Sequence, residues 1–97
     1  MKIDGDPAIY VESGSSVVLR CVISNWLEKP QIVFWFHDGD RLARGPDTAV
    51  QERHEPNSIV SLLTISRASA RKHTGKYECS PDNIKPASIN LHVIEGK

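Results

Sequence analysis

The chain has 97 residues, 39% of them hydrophobic, and its 12 Lys and Arg side chains balance 12 Asp and Glu side chains. This length suits one domain built around one core. Because no net charge attracts nucleic acid or an anionic membrane, we expect no nucleic-acid partner. No apolar run is long enough to cross a membrane, so we expect any membrane anchor to lie outside this chain.

The predicted elements are short strands separated by turn residues, without the 3.6-residue periodicity of a substantial helix. We expect residues 1–6 to form a linker, residues 7–94 the domain and residues 95–97 a tail. A crossover at residues 68–74 has room for one helical turn. The pattern indicates an all-β fold, a two-sheet antiparallel sandwich. In chain order the strands are predicted at Ala8–Glu12, Ser16–Ile23, Gln31–His37, Arg41–Ala43, Thr48–Arg53, Ser58–Ser66, Gly75–Ser80 and Ala87–Ile94.

Alternation within these strands predicts which side chains form the core and which point to solvent. The outward parity leaves an aliphatic stripe on one sheet, which is a candidate surface for a weak homodimer. That stripe comprises Val18, Val22, Val60 and Leu62. The predicted inward set is Val17, Leu19, Cys21, Val33, Trp35, Leu63, Ile65, Tyr77, Cys79, Ile89, Leu91 and Val93.

Two cysteines, Cys21 and Cys79, are separated by most of the chain. They are too few for a structural zinc site and too far apart for a CxxC redox motif, so the sequence predicts one disulfide. A disulfide implies an oxidising compartment, outside the cell or within the secretory pathway. The alternative is a pair of buried free thiols in an intracellular protein.

The order Cys21, Trp35 and then the segment GKYEC at residues 75–79 resembles the immunoglobulin fold. The resemblance implies an immunoglobulin-like sandwich of the I-set or V-like type. It also implies that Trp35 packs beside the disulfide and that the Tyr77 hydroxyl bonds to backbone upstream. The chain departs from the family pattern at His73, where an acidic residue usually pairs with a basic one across the sheet end.

Two longer segments, IVFWFH at residues 32–37 and YECSPDNIKPAS at residues 77–88, resemble the second immunoglobulin domain of the Dpr (defective proboscis extension response) family. The closing LHV at residues 91–93 is similar to that family too. The similarity extends over nearly the whole chain.

Membership of the Dpr family would imply an extracellular, neuronal cell-surface protein that takes part in synaptic partner choice. Its partners would be Dpr-interacting (DIP) immunoglobulin proteins, bound through the neighbouring first domain. This domain would then be mainly a membrane-proximal spacer in cell adhesion. The alternative function is that of a structural immunoglobulin domain in an intracellular scaffold or muscle protein.

Three aromatic residues are candidates for a protein interface. Phe34 and Phe36 share the outward parity of their strand, and Trp26 lies in the loop that precedes it. The alternative for the two phenylalanines is that Leu42 and the loop from Arg44 onward cover them. The alternative for Trp26 is packing under its own loop.

Nothing in the sequence predicts catalysis or a cofactor. No plausible nucleophile and base pair and no phosphate-binding glycine loop occurs, so we expect neither an enzyme nor a small-molecule substrate. The histidines lie in four different elements without the spacing of a ligand pair, so we expect no metal site. They are His37, His54, His73 and His92.

Overall fold

The computed structural model describes residues 2–4, 8–24, 26–42, 45, 47–82 and 84–95, with backbone only at 2–4. It contains nine strands and one helical turn among these residues. Parts of the predicted linker and tail, and Ala43 at the end of one predicted strand, lie outside the described residues. The elements are β1 (Lys2–Asp4), β2 (Ala8–Glu12), β3 (Val17–Ser24), β4 (Val33–His37), β5 (Asp40–Arg41), β6 (Thr48–Glu55), β7 (Ser58–Ile65), α1 (Ala70–His73), β8 (Gly75–Pro81) and β9 (Ala87–Ile94).

The strands form two sheets, which confirms the predicted all-β sandwich. The four-stranded sheet has the order β1-β3-β7-β6, and the five-stranded sheet has the order β2-β9-β8-β4-β5. Every paired strand runs antiparallel to its neighbour except β2, which pairs in parallel with β9. The predicted edge strand at Ala8–Glu12 therefore joins the sheet that contains the last strand of the domain.

Among the differences from the predicted strand bounds, two concern the edges of the four-stranded sheet. Residues 2–4, predicted to be linker, form β1, and Ile3 lies opposite Cys21 of β3. Strand β6, predicted to end at Arg53, continues to Glu55, which pairs with Ser58. The second half of β6 resembles a loop in sequence because its side chains are exposed and mostly charged, as is common on edge strands.

The core lies between the sheets and follows the alternation of the strands. In β7 every second residue is buried, and the same alternation occurs through most of β3 and β9. The structure also buries residues outside the predicted set, among them Ile23, Ile59, Ser61, Ala68 and His73. The buried hydrophobic residues are Val17, Leu19, Cys21, Ile23, Val33, Trp35, Ile59, Leu63, Ile65, Ala68, Tyr77, Cys79, Ile89, Leu91 and Val93.

The turn after β4 packs tightly against the start of β8. Asp38, with φ of 51°, accepts a hydrogen bond at Oδ1 from the Lys76 N–H at 2.9 Å. Gly75 has φ of 147°, and a Cβ there would come within 2.5 Å of the Asp38 carboxylate and 2.7 Å of His37 Nε2. Its backbone conformation therefore favours glycine at position 75, and a side chain there would also have to displace the Asp38 carboxylate and the His37 ring.

Gly75→Ala is expected to lower the free energy of unfolding by about 2 to 4 kcal/mol, because it combines backbone strain with a steric clash. Gly39→Ala is the matched control, since Gly39 has φ of 89° but nothing within 4 Å of its added Cβ. The control should cost only about 1 to 2 kcal/mol. Urea unfolding of the two variants measures both values, and equal losses would contradict the role of the close approach.

Candidate protein-binding site

The two cysteines form the predicted disulfide across the core. Cys21 of β3 and Cys79 of β8 are bonded, with their Cα atoms 6.4 Å apart. Both residues are fully buried. Because β3 and β8 belong to different sheets, this bond holds the two layers of the sandwich together.

Trp35 lies in the core beside the disulfide strand and is 3% exposed. It is the direct register partner of Cys79 in β8. Its indole Nε1–H donates a hydrogen bond to the Ser61 hydroxyl at 2.9 Å. Ser61, fully buried opposite Cys21, was not singled out from the sequence. The signal was available, since Ser61 is a polar residue at an inward position between Ile59 and Leu63.

Tyr77 is buried and donates its hydroxyl hydrogen to the His73 carbonyl at 2.6 Å. This hydrogen bond is the contact with upstream backbone that the resemblance to the immunoglobulin fold implied. The His37 ring stacks on the Tyr77 ring with centroids 4.4 Å apart. His37 Nε2–H also donates to the Thr74 carbonyl at 3.1 Å. Burial, with a smaller contribution from the Asp38 carboxylate, raises the pKa of Tyr77 to about 12.

His73 replaces the usual acidic residue at the sheet end and is only 7% exposed. Its Nδ1 accepts a hydrogen bond from the Ser69 N–H at 2.8 Å, which places the proton of the neutral ring on Nε2. Burial lowers the pKa of His73 below its ordinary value of 6.5. Asp47 opposes this shift, whereas Lys72 and His37 add to it. The position therefore holds a neutral imidazole instead of a salt bridge.

Stability is expected to fall below pH 6.5 because the folded state disfavours protonated His73. Neutral His73 makes its full contribution to the free energy of unfolding above pH 6.5. This contribution is lost as the pH drops toward the lower folded-state pKa of His73. His73→Asn, whose amide oxygen can accept the Ser69 N–H, should flatten urea-unfolding stability between about pH 7 and about pH 5. His54→Asn, which removes an exposed imidazole, should keep the decline. Parallel curves for His73→Asn and the unmodified chain would contradict this assignment.

The outer face of the five-stranded sheet carries the two predicted interface residues Phe34 and Phe36. Both are half-buried, with ring centroids 6.4 Å apart. The Arg41 guanidinium lies 4.5 Å from the Phe34 ring centroid, a cation–π arrangement. Arg41 thus covers part of Phe34, while Leu42 is half-buried and packs against the core. The loop that was the alternative cover of the two phenylalanines starts at Arg44, which lies outside the described residues.

A second aromatic pair lies on the same outer face and was not predicted. Tyr10 of β2 is 66% exposed and stacks on His92 of β9, with ring centroids 4.7 Å apart and planes 14° apart. The parallel pairing of β2 with β9 sets these two side chains opposite each other. We use the name aromatic face for the part of this outer surface formed by seven side chains: Tyr10, Phe34, Phe36, Arg41, Lys76, Glu78 and His92.

Trp26 is half-buried and packs against the core, so only part of its indole is open to a partner. The next residue, Leu27, is fully exposed. This packing agrees with the alternative given for Trp26, in which it packs under its own loop. A role for Trp26 in a protein interface stays a prediction.

The predicted aliphatic stripe lies on the outer face of the four-stranded sheet. Val18 is 55% exposed, while Val22, Val60 and Leu62 are half-buried. Val60 and Leu62 line a groove together with charged side chains of β6. Apolar atoms are therefore accessible on both sheets.

Across residues 2–4, 8–24, 26–42, 45, 47–82 and 84–95, no helix is long and apolar enough to span a membrane. In the same part of the chain, no three His, Cys, Asp or Glu side chains are grouped to hold a metal ion.

Solved structures similar to this chain include immunoglobulin domains of Dpr2, of a cell adhesion molecule and of titin. A crystal structure of Dpr2 Ig1-Ig2 in complex with DIP-Theta Ig1-Ig3 matches with a TM-score of 0.84 and 24% identity, over 97% of this chain and 48% of that chain. The N-terminal eight Ig domains of Down syndrome cell adhesion molecule (DSCAM) isoform 1.30.30 match with a TM-score of 0.80 and 26% identity. This match covers 94% of this chain and 14% of that chain. Titin Ig tandem domains A164-A165 match with a TM-score of 0.68 and 16% identity, over 92% of this chain and 44% of that chain.

The chain spans about half the length of the Dpr2 chain that it matches. A search of functionally curated proteins finds no match. The family model described as immunoglobulin domain matches residues 2–83. With the two sheets and the disulfide between them, this match shows that the chain belongs to the immunoglobulin domain family.

Proposed function

We propose that this domain is an extracellular part of a cell-surface recognition protein, attached to the plasma membrane through a segment outside this chain. The observation that carries the proposal is the buried Cys21–Cys79 bond. Disulfides persist in oxidising compartments and are rare in the cytosol. The similarity to DSCAM, a cell adhesion molecule, supports the same setting.

Within that setting we propose a Dpr-like protein of neurons that takes part in synaptic partner choice. The segment at residues 77–88 resembles the Dpr family, and the shape is similar to that of Dpr2. Dpr2 was crystallised in complex with DIP-Theta. DIP-type immunoglobulin proteins are therefore the proposed partners, bound mainly through a neighbouring first domain.

The positions of the first and last strands support the role of a membrane-proximal spacer. Strand β1 pairs with β3 near its end, at Val22. Strand β9 ends at Ile94, beside Glu12, at the opposite end of the strands. The domain measures 48 Å along its longest axis. A chain that enters at one end and leaves at the other separates its neighbours by the length of the domain.

The test is a binding measurement on a sensor surface that carries DIP-type ectodomains. We expect binding by a longer chain that includes the preceding immunoglobulin domain and none by this domain alone. Direct binding by this domain, lost in Phe34→Ala or Phe36→Ala with the fold intact, would overturn the spacer role. Thermal unfolding of each variant provides the folding control.

A structural domain of an intracellular or muscle protein is the second candidate function, and the similarity to titin domains favours it. The redox state of the cysteines distinguishes the two. In the full-length protein taken from its own cells, Cys21 and Cys79 should resist alkylation until a reductant is added. Immediate alkylation of unfolded, unreduced protein would favour the intracellular function.

A further inference from the structure

We propose that the aromatic face is a self-association surface that binds a second copy of this chain. This inference goes beyond the spacer role and does not depend on it. From the sequence pattern alone, the aliphatic stripe of the other sheet is a candidate surface for a weak homodimer, although scattered exposed aliphatic side chains are common on protein surfaces. Three features of the aromatic face favour it instead: the placement of its aromatic groups, its charges and its size.

The aromatic groups occupy opposite corners of the sheet. Phe34 lies on β4, opposite Ser80 of β8, and Arg41 of the adjacent β5 covers it. The Tyr10–His92 stack lies on β2 and β9, at the other edge. His92 is also displaced along the strands from the level of Ser80, past the Lys76–Asn90 pair. A diagonal therefore joins the two aromatic corners.

The middle of this diagonal carries one pair of opposite charges. Lys76 and Glu78 are alternate residues of the central strand β8, and both point outward because Tyr77 between them is buried. Lys76 is exposed and Glu78 is half-buried.

A two-fold axis parallel to the sheet and perpendicular to the diagonal would place the Phe34 corner of one copy on the Tyr10–His92 corner of the other. The same rotation would place Lys76 of each copy against Glu78 of its mate. The charges are then matched twice, with aromatic contacts on either side. Such self-complementarity is the requirement of an isologous interface.

The size of the face indicates a weak dimer. Five strands about 4.8 Å apart span about 19 Å, and eight residues along a strand span about 27 Å. Only β9 of this sheet has eight residues, so these dimensions give at most about 500 Å² on each copy and about 1,000 Å² for the pair, which is the low end for specific interfaces. We therefore expect a transient dimer of this domain, seen at high concentration.

Sedimentation equilibrium of Lys76→Glu, Glu78→Lys and their mixture tests the proposal. Each variant alone should dimerise at least about tenfold more weakly than the unmodified chain, because like charges would face each other at both positions. An equimolar mixture should recover dimers, since the two carboxylates of the first variant would face the two ammonium groups of the second. Recovery in the mixture cannot arise from misfolding of either chain.

Tyr10→Ala and Phe34→Ala should each weaken the dimer by about tenfold or more, as expected for aromatic anchors. Leu62→Glu, on the other sheet, is the matched control and should leave dimerisation unchanged. A chain that stays monomeric up to about 1 mM would overturn the proposal. So would a dimer that Leu62→Glu disrupts, or one that the two charge variants leave unchanged.

Discussion

Replacing Cys21 and Cys79 together by alanine is expected to lower the free energy of unfolding by about 4 kcal/mol. The bond closes a loop with a sequence separation of 58, so its loss restores much conformational freedom to the unfolded chain. Domains of this size have total stabilities of about 5 to 15 kcal/mol, so the variant should be close to unfolding at about 37 °C. Urea unfolding followed by Trp fluorescence provides the measurement.

The unmodified chain in the presence of a reductant is the control for the cysteine variant. Once reduced, it should unfold at nearly the same urea concentration as the double alanine variant. If the variant lost less than about 1 kcal/mol, the disulfide would not be a main source of stability. If the reduced chain were much more stable than the variant, packing of the sulfur atoms rather than the crosslink would carry the effect.

Trp35→Ala is expected to cost about 3 to 5 kcal/mol, because it leaves a large cavity beside the disulfide. The substitution also removes the donor to the Ser61 hydroxyl, which is fully buried. An unpaired buried hydroxyl adds to the cost. Equilibrium urea unfolding, or thermal unfolding if the variant is too unstable, provides the value.

Trp35→Phe and Ser61→Ala separate the packing of Trp35 from its hydrogen bond. Trp35→Phe keeps most of the ring volume and should cost less than Trp35→Ala. Ser61→Ala leaves the indole N–H without an acceptor and should cost about 1 to 3 kcal/mol. The variant that combines Trp35→Phe with Ser61→Ala should lose less stability than the sum of the two single variants, since neither the indole N–H nor the hydroxyl is then left unpaired. Strict additivity would show that the Trp35–Ser61 bond contributes nothing measurable.

The core could be predicted from the sequence because alternation is a local property. Residue parity alone assigns Trp35 and Cys79 to the inward face, and they are direct neighbours in the register. The disulfide and the buried Tyr77 are expected on the same grounds or from the family pattern. The inward placement of these residues depends on alternation along each strand, so it can be predicted from the sequence.

The remaining features depend on pairings between distant residues, which parity does not determine. The stack of Tyr10 on His92 exists only because β2 joins β9 in parallel. Likewise, β1 exists only because residues 2–4 find an open edge at β3. The Arg41 cover of Phe34 depends on where a two-residue strand places one long side chain. The Tyr10–His92 stack and the Arg41–Phe34 contact belong to the surface rather than to the core.

The parallel pair of β2 and β9 also determines how the domain would respond to tension. Once β1 has separated from β3, force applied to the two ends of the domain would pull the start of β2 and the end of β9 in opposite directions along the strands. The hydrogen bonds of a strand pair lie across that direction, so they would be loaded together in shear instead of opening one after another. We therefore expect the pair of β2 and β9 to resist stretching more than a strand pair whose hydrogen bonds open one at a time.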